Sequence, residues 1–259
     1  MNDAMRIASL FSVQGKVALV TGANRGIGLM IARAFVANGV RTYIVGRDRA
    51  VCADTGRVLG EVGSCTAIVA DLTDDRERQR IAGIVADREG RLDILINNAG
   101  IASVSPLGSV SEESWDSILD VNLKAPFMLI QALLPLLKAA ASPDCPARIV
   151  NIGSISGTEA DAQDGYSYCA SKAALAQLTR NLARVLARDG ITVNLIAPGS
   201  TRTENFDRHL SAEAVLPKIP LNRLGGPADM AGAALYFSSP AAAWVTGTTL
   251  TVDGGQLLK

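Results

Sequence analysis

Six short apolar runs alternate along this chain with stretches long enough for helices. They are Val17 to Thr21, Thr42 to Val45, Thr66 to Ala70, Ile94 to Ile96, Ile149 to Ile152 and Thr192 to Ile196. The first three begin about two dozen residues apart, which leaves room for a crossover helix between parallel strands. Strands of a parallel sheet are buried on both faces and read as continuous apolar runs, as Val17-Ala18-Leu19-Val20 and Ile94-Leu95-Ile96 do. The pattern predicts an α/β fold with a doubly wound parallel sheet. No repeat, linker or low-complexity stretch marks an internal boundary, so residues 1–259 are expected to form one domain.

Helical patterns lie between the runs. Ile27 to Asn38 is predicted as a helix ended by Gly39, and Asp74 to Asp87 as one whose charge run Asp74-Asp75-Arg76-Glu77-Arg78 forms a solvated face. Ser111-Glu112-Glu113 opens a long helix by N-cap chemistry, and its apolar part, Ala125 to Leu137, is interrupted only by Gln131 and Pro135. Such a helix is either buried against the sheet or shared with a second subunit.

Composition narrows the partners and the chemistry. Lys+Arg and Asp+Glu both number 25, so no net charge favours nucleic acid or an anionic membrane, and a small molecule is the expected partner. Ile7 to Val13 is too short and too interrupted for a secretory or membrane segment, and the cytoplasm is the expected location. Cys52, Cys65, Cys145 and Cys169 lack metal-ligand spacing and are read as reduced thiols. His209 is the only histidine, which leaves no multi-histidine metal centre and no ordinary Ser-His-Asp triad. No metal is expected.

Thr21-Gly22-Ala23-Asn24-Arg25-Gly26-Ile27-Gly28 stands between the first strand and the first helix. Glycines there let the backbone turn tightly and approach a pyrophosphate, which the helix N-terminus meets with free amides and partial positive charge. The tip of the second strand reads the ribose: a carboxylate suits a 2′-hydroxyl and a cation a 2′-phosphate. That tip is Gly46-Arg47-Asp48, and Arg25 adds a second cation. The pair of guanidiniums favours NADP(H), while Asp48 keeps NAD(H) as the alternative.

Tyr168 and Lys172 are four residues apart, which on a helix puts both side chains on one face. A nearby ammonium favours the phenolate over the phenol, so the tyrosine could exchange protons near neutrality. A proton handler beside a nucleotide site points to carbonyl–alcohol redox chemistry.

These ordered motifs, with Asp71, Asn97-Asn98-Ala99-Gly100, Asn122, Ser154, Pro198-Gly199 and Asp253-Gly254-Gly255, resemble the short-chain dehydrogenases/reductases over nearly the whole chain. The resemblance implies a Rossmann-like sheet of seven parallel strands, a nicotinamide cofactor, and a homodimer or homotetramer built through two long helices. It implies a catalytic set of Asn122, Ser154, Tyr168 and Lys172. Tyr168 would be the acid/base, Lys172 its partner and a ribose ligand, Ser154 the hydroxyl that orients the carbonyl, and Asn122 the holder of a relay water. Ser156 competes with Ser154, and Tyr166 is a decoy expected to line the pocket. The cofactor would be held by Gly22, Asn24, Arg25, Gly26, Ile27, Gly28, Arg47, Asp71, Leu72, Asn98, Ala99, Gly100, Tyr168, Lys172, Pro198, Gly199, Thr201 and Thr203. Asp71 could equally cap the following helix, and Arg202 is atypical of its loop.

The substrate pocket is expected between Ser156 and Tyr166 and under a lid within residues 200–218. Glu159, Asp161 and Asp164 lend acidity there, whereas Phe206, Leu210, Val215 and Leu216 could cover an apolar chain. His209 falls in the lid and is left out of the catalytic set. The pattern is similar to the β-ketoacyl-carrier reductases, those linked to rhamnolipid precursors included, which implies reduction of a 3-oxoacyl thioester. Ketone, steroid or sugar dehydrogenation is the alternative within the family. A catalytically silent nucleotide-sensing protein is the alternative from another class, and a sugar-nucleotide epimerase would need a larger C-terminal domain.

Overall fold

The first strand, β1 (Val17–Thr21), is buried along its whole length, and its side chains alternate between two apolar layers. Val17 and Leu19 enter one layer, Ala18 and Val20 the other. The structure, a computed structural model, describes residues 5–159 and 165–258; the side chains of residues 205, 208 and 209 are outside the description.

In chain order the elements are α1 (Ile7–Leu10), β1, α2 (Gly26–Ala37), β2 (Arg41–Gly46), α3 (Arg49–Gly60), β3 (Cys65–Val69), α4 (Asp75–Glu89) and β4 (Ile94–Asn97). Then come α5 (Glu112–Leu119), a π-helical turn (Asp120–Lys124), α6 (Ala125–Ala140), β5 (Ala147–Ile152), a 3-10 turn (Ile155–Gly157), α7 (Tyr166–Leu186) and β6 (Ile191–Pro198). The chain ends with α8 (Glu204–His209), α9 (Ala212–Val215), α10 (Pro227–Ser238) and β7 (Thr249–Val252). All seven strands pair in parallel in the order β3-β2-β1-β4-β5-β6-β7. Helices cover both faces: Ile31 and Phe35 of α2 and Phe237 of α10 in one layer, Ile81 of α4, Leu129 of α6 and Ala183 of α7 in the other.

This order reverses between β1 and β4. Crossovers leave in opposite directions there, which opens a crevice at the carboxyl ends of the strands, where open α/β sheets bind their ligands. The glycine turn follows β1 and Asn98-Ala99-Gly100 follows β4, so both border it.

Six of the strands lie where the apolar runs predict them. The seventh, β7, is a half-exposed edge strand with the mixed sequence Thr-Leu-Thr-Val. Ser111 caps α5 as expected, its hydroxyl accepting the Ser114 amide at 3.2 Å. The run Glu112–Ala140 is long and apolar enough to cross a membrane, and it lays Leu129, Leu133 and Leu137 into the core while Gln131 and Pro135 face outward. The charge run of α4 differs from expectation at one residue. Arg78 is buried, its guanidinium donating to Leu72 O at 2.6 Å and to Asp75 at 3.1 Å.

Candidate active site

Thr21 ends β1, and its hydroxyl fixes the mouth of the crevice. The Thr21 Oγ1 accepts the amides of Asn98 and Ala99 at 2.9 and 3.0 Å and donates to Ile96 O at 3.3 Å. Asn98 answers from β4's end: its Nδ2 donates to Thr21 O at 2.8 Å and to Gly22 O at 3.1 Å. Asn98 thus braces the glycine turn, with Ala99 pressed against Gly22, where a Cβ would come within 2.9 Å of the Ala99 Cα.

Gly26 begins α2 at φ 56, a left-handed value that an L side chain resists. A Cβ there would meet nothing nearer than the Thr203 methyl at 3.7 Å. The helix N-terminus therefore opens onto clear space, with Ile27 beyond Gly26 and Thr203 across the gap. Thr203 also caps α8, accepting the Phe206 amide at 3.1 Å. Thr201 is buried and donates to Gly199 O at 3.1 Å within its own loop. Pro198 ends β6, and Gly199 lies against Asp253 with no room for a Cβ. Arg202 is exposed.

The carboxylates near the second strand are engaged elsewhere. Asp48 caps α3, its Oδ1 accepting the Val51 amide at 3.0 Å. Asp71 accepts the Thr73 amide at 2.9 Å and the Thr73 hydroxyl at 2.8 Å, and these bonds hold it below the usual carboxylate range with help from Arg47. Asp74, not Asp71, caps α4, because only Asp74 reaches a free first-turn amide, that of Arg76 at 2.8 Å. Leu72 is buried. Arg25 and Arg47 are exposed, and neither joins an ion pair among the described residues. Two exposed cations at a nucleotide crevice suit an additional phosphate.

The second half of the site lies around α7. Lys172 is buried and donates to Ile152 O at 2.8 Å, and its Nζ lies 5.7 Å from the Tyr168 ring centre. Burial pushes its pKa down from 10.5 to about 8, since a low-dielectric setting disfavours the ammonium. Gly100 is close by: a Cβ there would fall 3.3 Å from Asn122 Oδ1 and 3.6 Å from Lys172 Nζ. The backbone after β4 therefore passes between these two side chains.

Asn122 is buried inside the π-helical turn, which rotates the residue out of ordinary α register. Its Oδ1 accepts the Ile101 amide, and its Nδ2 donates to Ile101 O, all at 2.9 Å. The same Nδ2 donates to Ser171 Oγ at 3.1 Å, and Ser171 in turn donates to Tyr168 O at 2.7 Å. Ser171 is a link that pattern reading missed. Its only signal was its position between Tyr168 and Lys172.

Ser154 leaves β5 just past Gly153, whose amide still bonds Ile196 O at 2.7 Å. The Ser154 hydroxyl accepts the Ser156 amide at 3.1 Å and caps the 3-10 turn. Gly157 presses that turn onto α7, for a Cβ would stand 2.8 Å from the Lys172 carbonyl carbon. Ser154, Ser156, Tyr168 and Lys172 thus share one corner. Asp161 and Asp164 lie outside the described residues, and Glu159 is exposed.

At the start of α7 a groove of about 570 Å³ runs between Leu107, Val110, Trp115 and Tyr166, with Glu112 and Asp116 also in its wall. Tyr166, the first residue of α7, lines it. Phe206 and Val215 are buried against Ile219, with Leu210 packed on them, so their apolar surface forms a small core of its own.

The crevice therefore fits a nicotinamide dinucleotide, with clear space at a helix N-terminus, unpaired guanidiniums beside it and a buried lysine at its far end. Comparisons agree. Residues 22–256 match the family model described as enoyl-(acyl carrier protein) reductase. The chain is 42% identical over 250 residues to a rhamnolipids biosynthesis 3-oxoacyl-[acyl-carrier-protein] reductase of Pseudomonas aeruginosa, covering 95% of this chain and 97% of that one. It is 39% identical to a galactitol 2-dehydrogenase (L-tagatose-forming) of Cereibacter sphaeroides, covering 97% and 98%. Among solved structures, the Pseudomonas aeruginosa RhlG/NADP active-site complex superposes with a TM-score of 0.92 at 41% identity, covering 95% and 98%. On fold, motif order and these likenesses together, the chain belongs to the short-chain dehydrogenase/reductase family.

Proposed function

We propose that this chain is an NADPH-dependent reductase whose substrate is a 3-oxoacyl thioester. The observation that carries the reading is the meeting of Lys172, Tyr168, Asn122 and the Ser154 turn at one corner of the crevice. When bound, the reduced nicotinamide supplies a hydride. The protein's share is to hold the carbonyl and deliver a proton.

In this reading Ser154 Oγ donates to the substrate oxygen, and the Tyr168 hydroxyl gives that oxygen its proton as negative charge develops there. The Lys172 ammonium, close to the phenol ring, stabilises the phenolate left behind. Asn122 holds the backbone at Ile101 and, through Ser171, the first turn of α7, and so keeps Tyr168 in position; a relay water would bind at this same corner. Gly22, Asn24, Gly26, Ile27 and Gly28 form the pyrophosphate turn. Arg25 and Arg47 bind the 2′-phosphate, Asp71 and Leu72 flank the adenine, and Asn98 to Gly100 pass beside the ribose. Pro198, Gly199 and Thr203 approach the nicotinamide; Thr201 supports that loop from inside.

Two observations support an acyl substrate: the apolar groove beside α7, and the 42% identity to a 3-oxoacyl reductase. We read residues 1–259 as one domain in which 200–218 form a lid. The enzyme is read as cytoplasmic and as a dimer or tetramer through α6 and α7, whose half-buried Met128 and exposed Val185 a second subunit would cover.

The test compares kcat/KM for 3-oxoacyl thioesters of increasing chain length with that for keto sugars and galactitol, using NADPH/NADP and NADH/NAD. The reading expects the thioesters to lead by at least about tenfold, with the constant rising with chain length. It expects Tyr168→Phe to abolish turnover while NADPH still binds. A lead for the sugars would overturn the substrate class.

A further inference from the structure

Gly46 ends β2, and a Cβ built on it would lie 3.0 Å from Cγ of Asn24, 3.2 Å from its Nδ2 and 3.3 Å from its Oδ1. The carboxamide of Asn24 therefore covers the strand tip where a ribose-reading carboxylate would begin. The backbone that carries it is held on two sides. The glycine turn is tied to β2 by the Gly22 and Ala23 amides, which donate to Val45 O at 2.8 and 3.3 Å. From the other side, Thr55 of α3 donates its hydroxyl to Asn24 O at 3.4 Å.

We propose that Asn24 is a cofactor-specificity residue, one that excludes an acid from position 46 and so makes the NADP(H) preference a property of the Asn24–Gly46 pair. The proposal rests on the NADP(H) reading above and adds the reason why no single change at the strand tip reverses it. Two effects act in the same direction. A side chain at 46 must displace the carboxamide by several tenths of an ångström, and a carboxylate that succeeded would meet Asn24 Nδ2. That amide would then compete with a 2′-hydroxyl for the carboxylate. Relieving the crowding requires a smaller residue at 24.

The experiment measures dissociation constants of NADPH and NADH by fluorescence titration of the full-length protein and its Gly46→Asp, Asn24→Ala and doubly substituted variants. Gly46→Asp alone is expected to weaken NADPH at least about tenfold, by like-charge repulsion, and to leave NADH within about threefold of the parent protein. Adding Asn24→Ala is expected to tighten NADH at least about tenfold over Gly46→Asp. A single Gly46→Asp change that tightens NADH as much as the pair, or a pair no tighter than the single, overturns the proposal. Equal affinities of the parent protein for the two cofactors would instead overturn the NADP(H) reading, so the two failures are distinct. Gly46→Ala tests the crowding without charge: its melting temperature should fall and should recover when Asn24→Ala is added. No recovery overturns the steric claim.

Discussion

The carboxamide of Asn98 lies directly over Gly28, so near that a Cβ on Gly28 would clash with Asn98 Nδ2 as well as with Gly22 O. The close approach lets one side chain bond two carbonyls of the glycine turn, those of Thr21 and Gly22. Gly28→Ala should therefore cost about 2–4 kcal/mol of stability, combining overpacking with the loss of donors to buried carbonyls. Urea unfolding checks the cost, and NADPH titration should show affinity weakened at least about tenfold. In an Asn98→Ala background the same change should cost less, because one clash is gone, but not nothing, because those with Gly22 O and Ala23 Cα remain.

Ser154 and Ser156 occupy one turn but play unequal parts in it. Ser154 accepts the Ser156 amide, which fixes the hydroxyl at the tip of β5. In the proposed function its Oγ–H donates to a substrate oxygen, and removing such a donor typically lowers kcat about 100- to 1,000-fold. Ser154→Ala should show that loss with NADPH affinity retained. Ser156→Ala should keep kcat within about fivefold, since its backbone amide survives the substitution. Steady-state kinetics of both variants decide the matter, and the reverse order would move the carbonyl-holding role to Ser156.

Much of this was legible because burial and helical periodicity leave direct marks on sequence. Buried parallel strands must be apolar throughout, so six of seven stood out, while β7, half exposed at the sheet's edge, did not. The Tyr168–Lys172 spacing was legible for the same kind of reason, because four residues make one helical turn. Which carboxylate does what was not. Asp48, Asp71 and Asp74 all stand near helix starts, and only the folded backbone decides which of them meets a free amide. Arg78 looked like one more solvated charge until the chain brought Leu72 O to its guanidinium. Ser171, Gly157 and the π-helical turn act through tertiary contacts that no local pattern encodes.

Lys172 makes stability depend on pH in a defined sense. Its folded pKa of about 8 lies below the unfolded value of 10.5, so burying the ammonium is costly at low pH. Between the two values the unfolded chain holds more protons than the folded one, and stability rises with pH. The cost is therefore full below pH 8 and relieved progressively towards pH 10.5. Cys65, raised from 9.0 to about 11 by burial, and Tyr43, raised from 10.0 to about 12, act in the opposite direction at higher pH. Urea unfolding from pH 7 to 9 isolates the lysine. The parent protein without cofactor should gain about 1 kcal/mol relative to Lys172→Met across that range. In catalysis the same variant should shift the alkaline rise of alcohol oxidation to higher pH, because the phenol then lacks its ammonium neighbour.

Among the described residues Arg148 is the largest fully buried side chain, and no carboxylate pairs with it. Its guanidinium donates to Ser239 O at 3.1 Å and to Thr192 Oγ1 at 3.4 Å, and its Nε is buried without a partner. Ser239 follows the last turn of α10, so the cation faces the negative end of that helix, a modest compensation for desolvation. Burial pushes its pKa down accordingly. A buried charge without a counter-charge is often replaced at no loss by an apolar side chain of similar length, whereas truncation leaves a cavity as well. Arg148→Met should therefore change stability by less than about 1 kcal/mol, or raise it, while Arg148→Ala should lose about 2–5 kcal/mol. Urea unfolding of the two variants separates these cases. A loss of several kcal/mol in Arg148→Met would mean instead that the bonds to Ser239 and Thr192 hold α10 and β6 more strongly than desolvation opposes them.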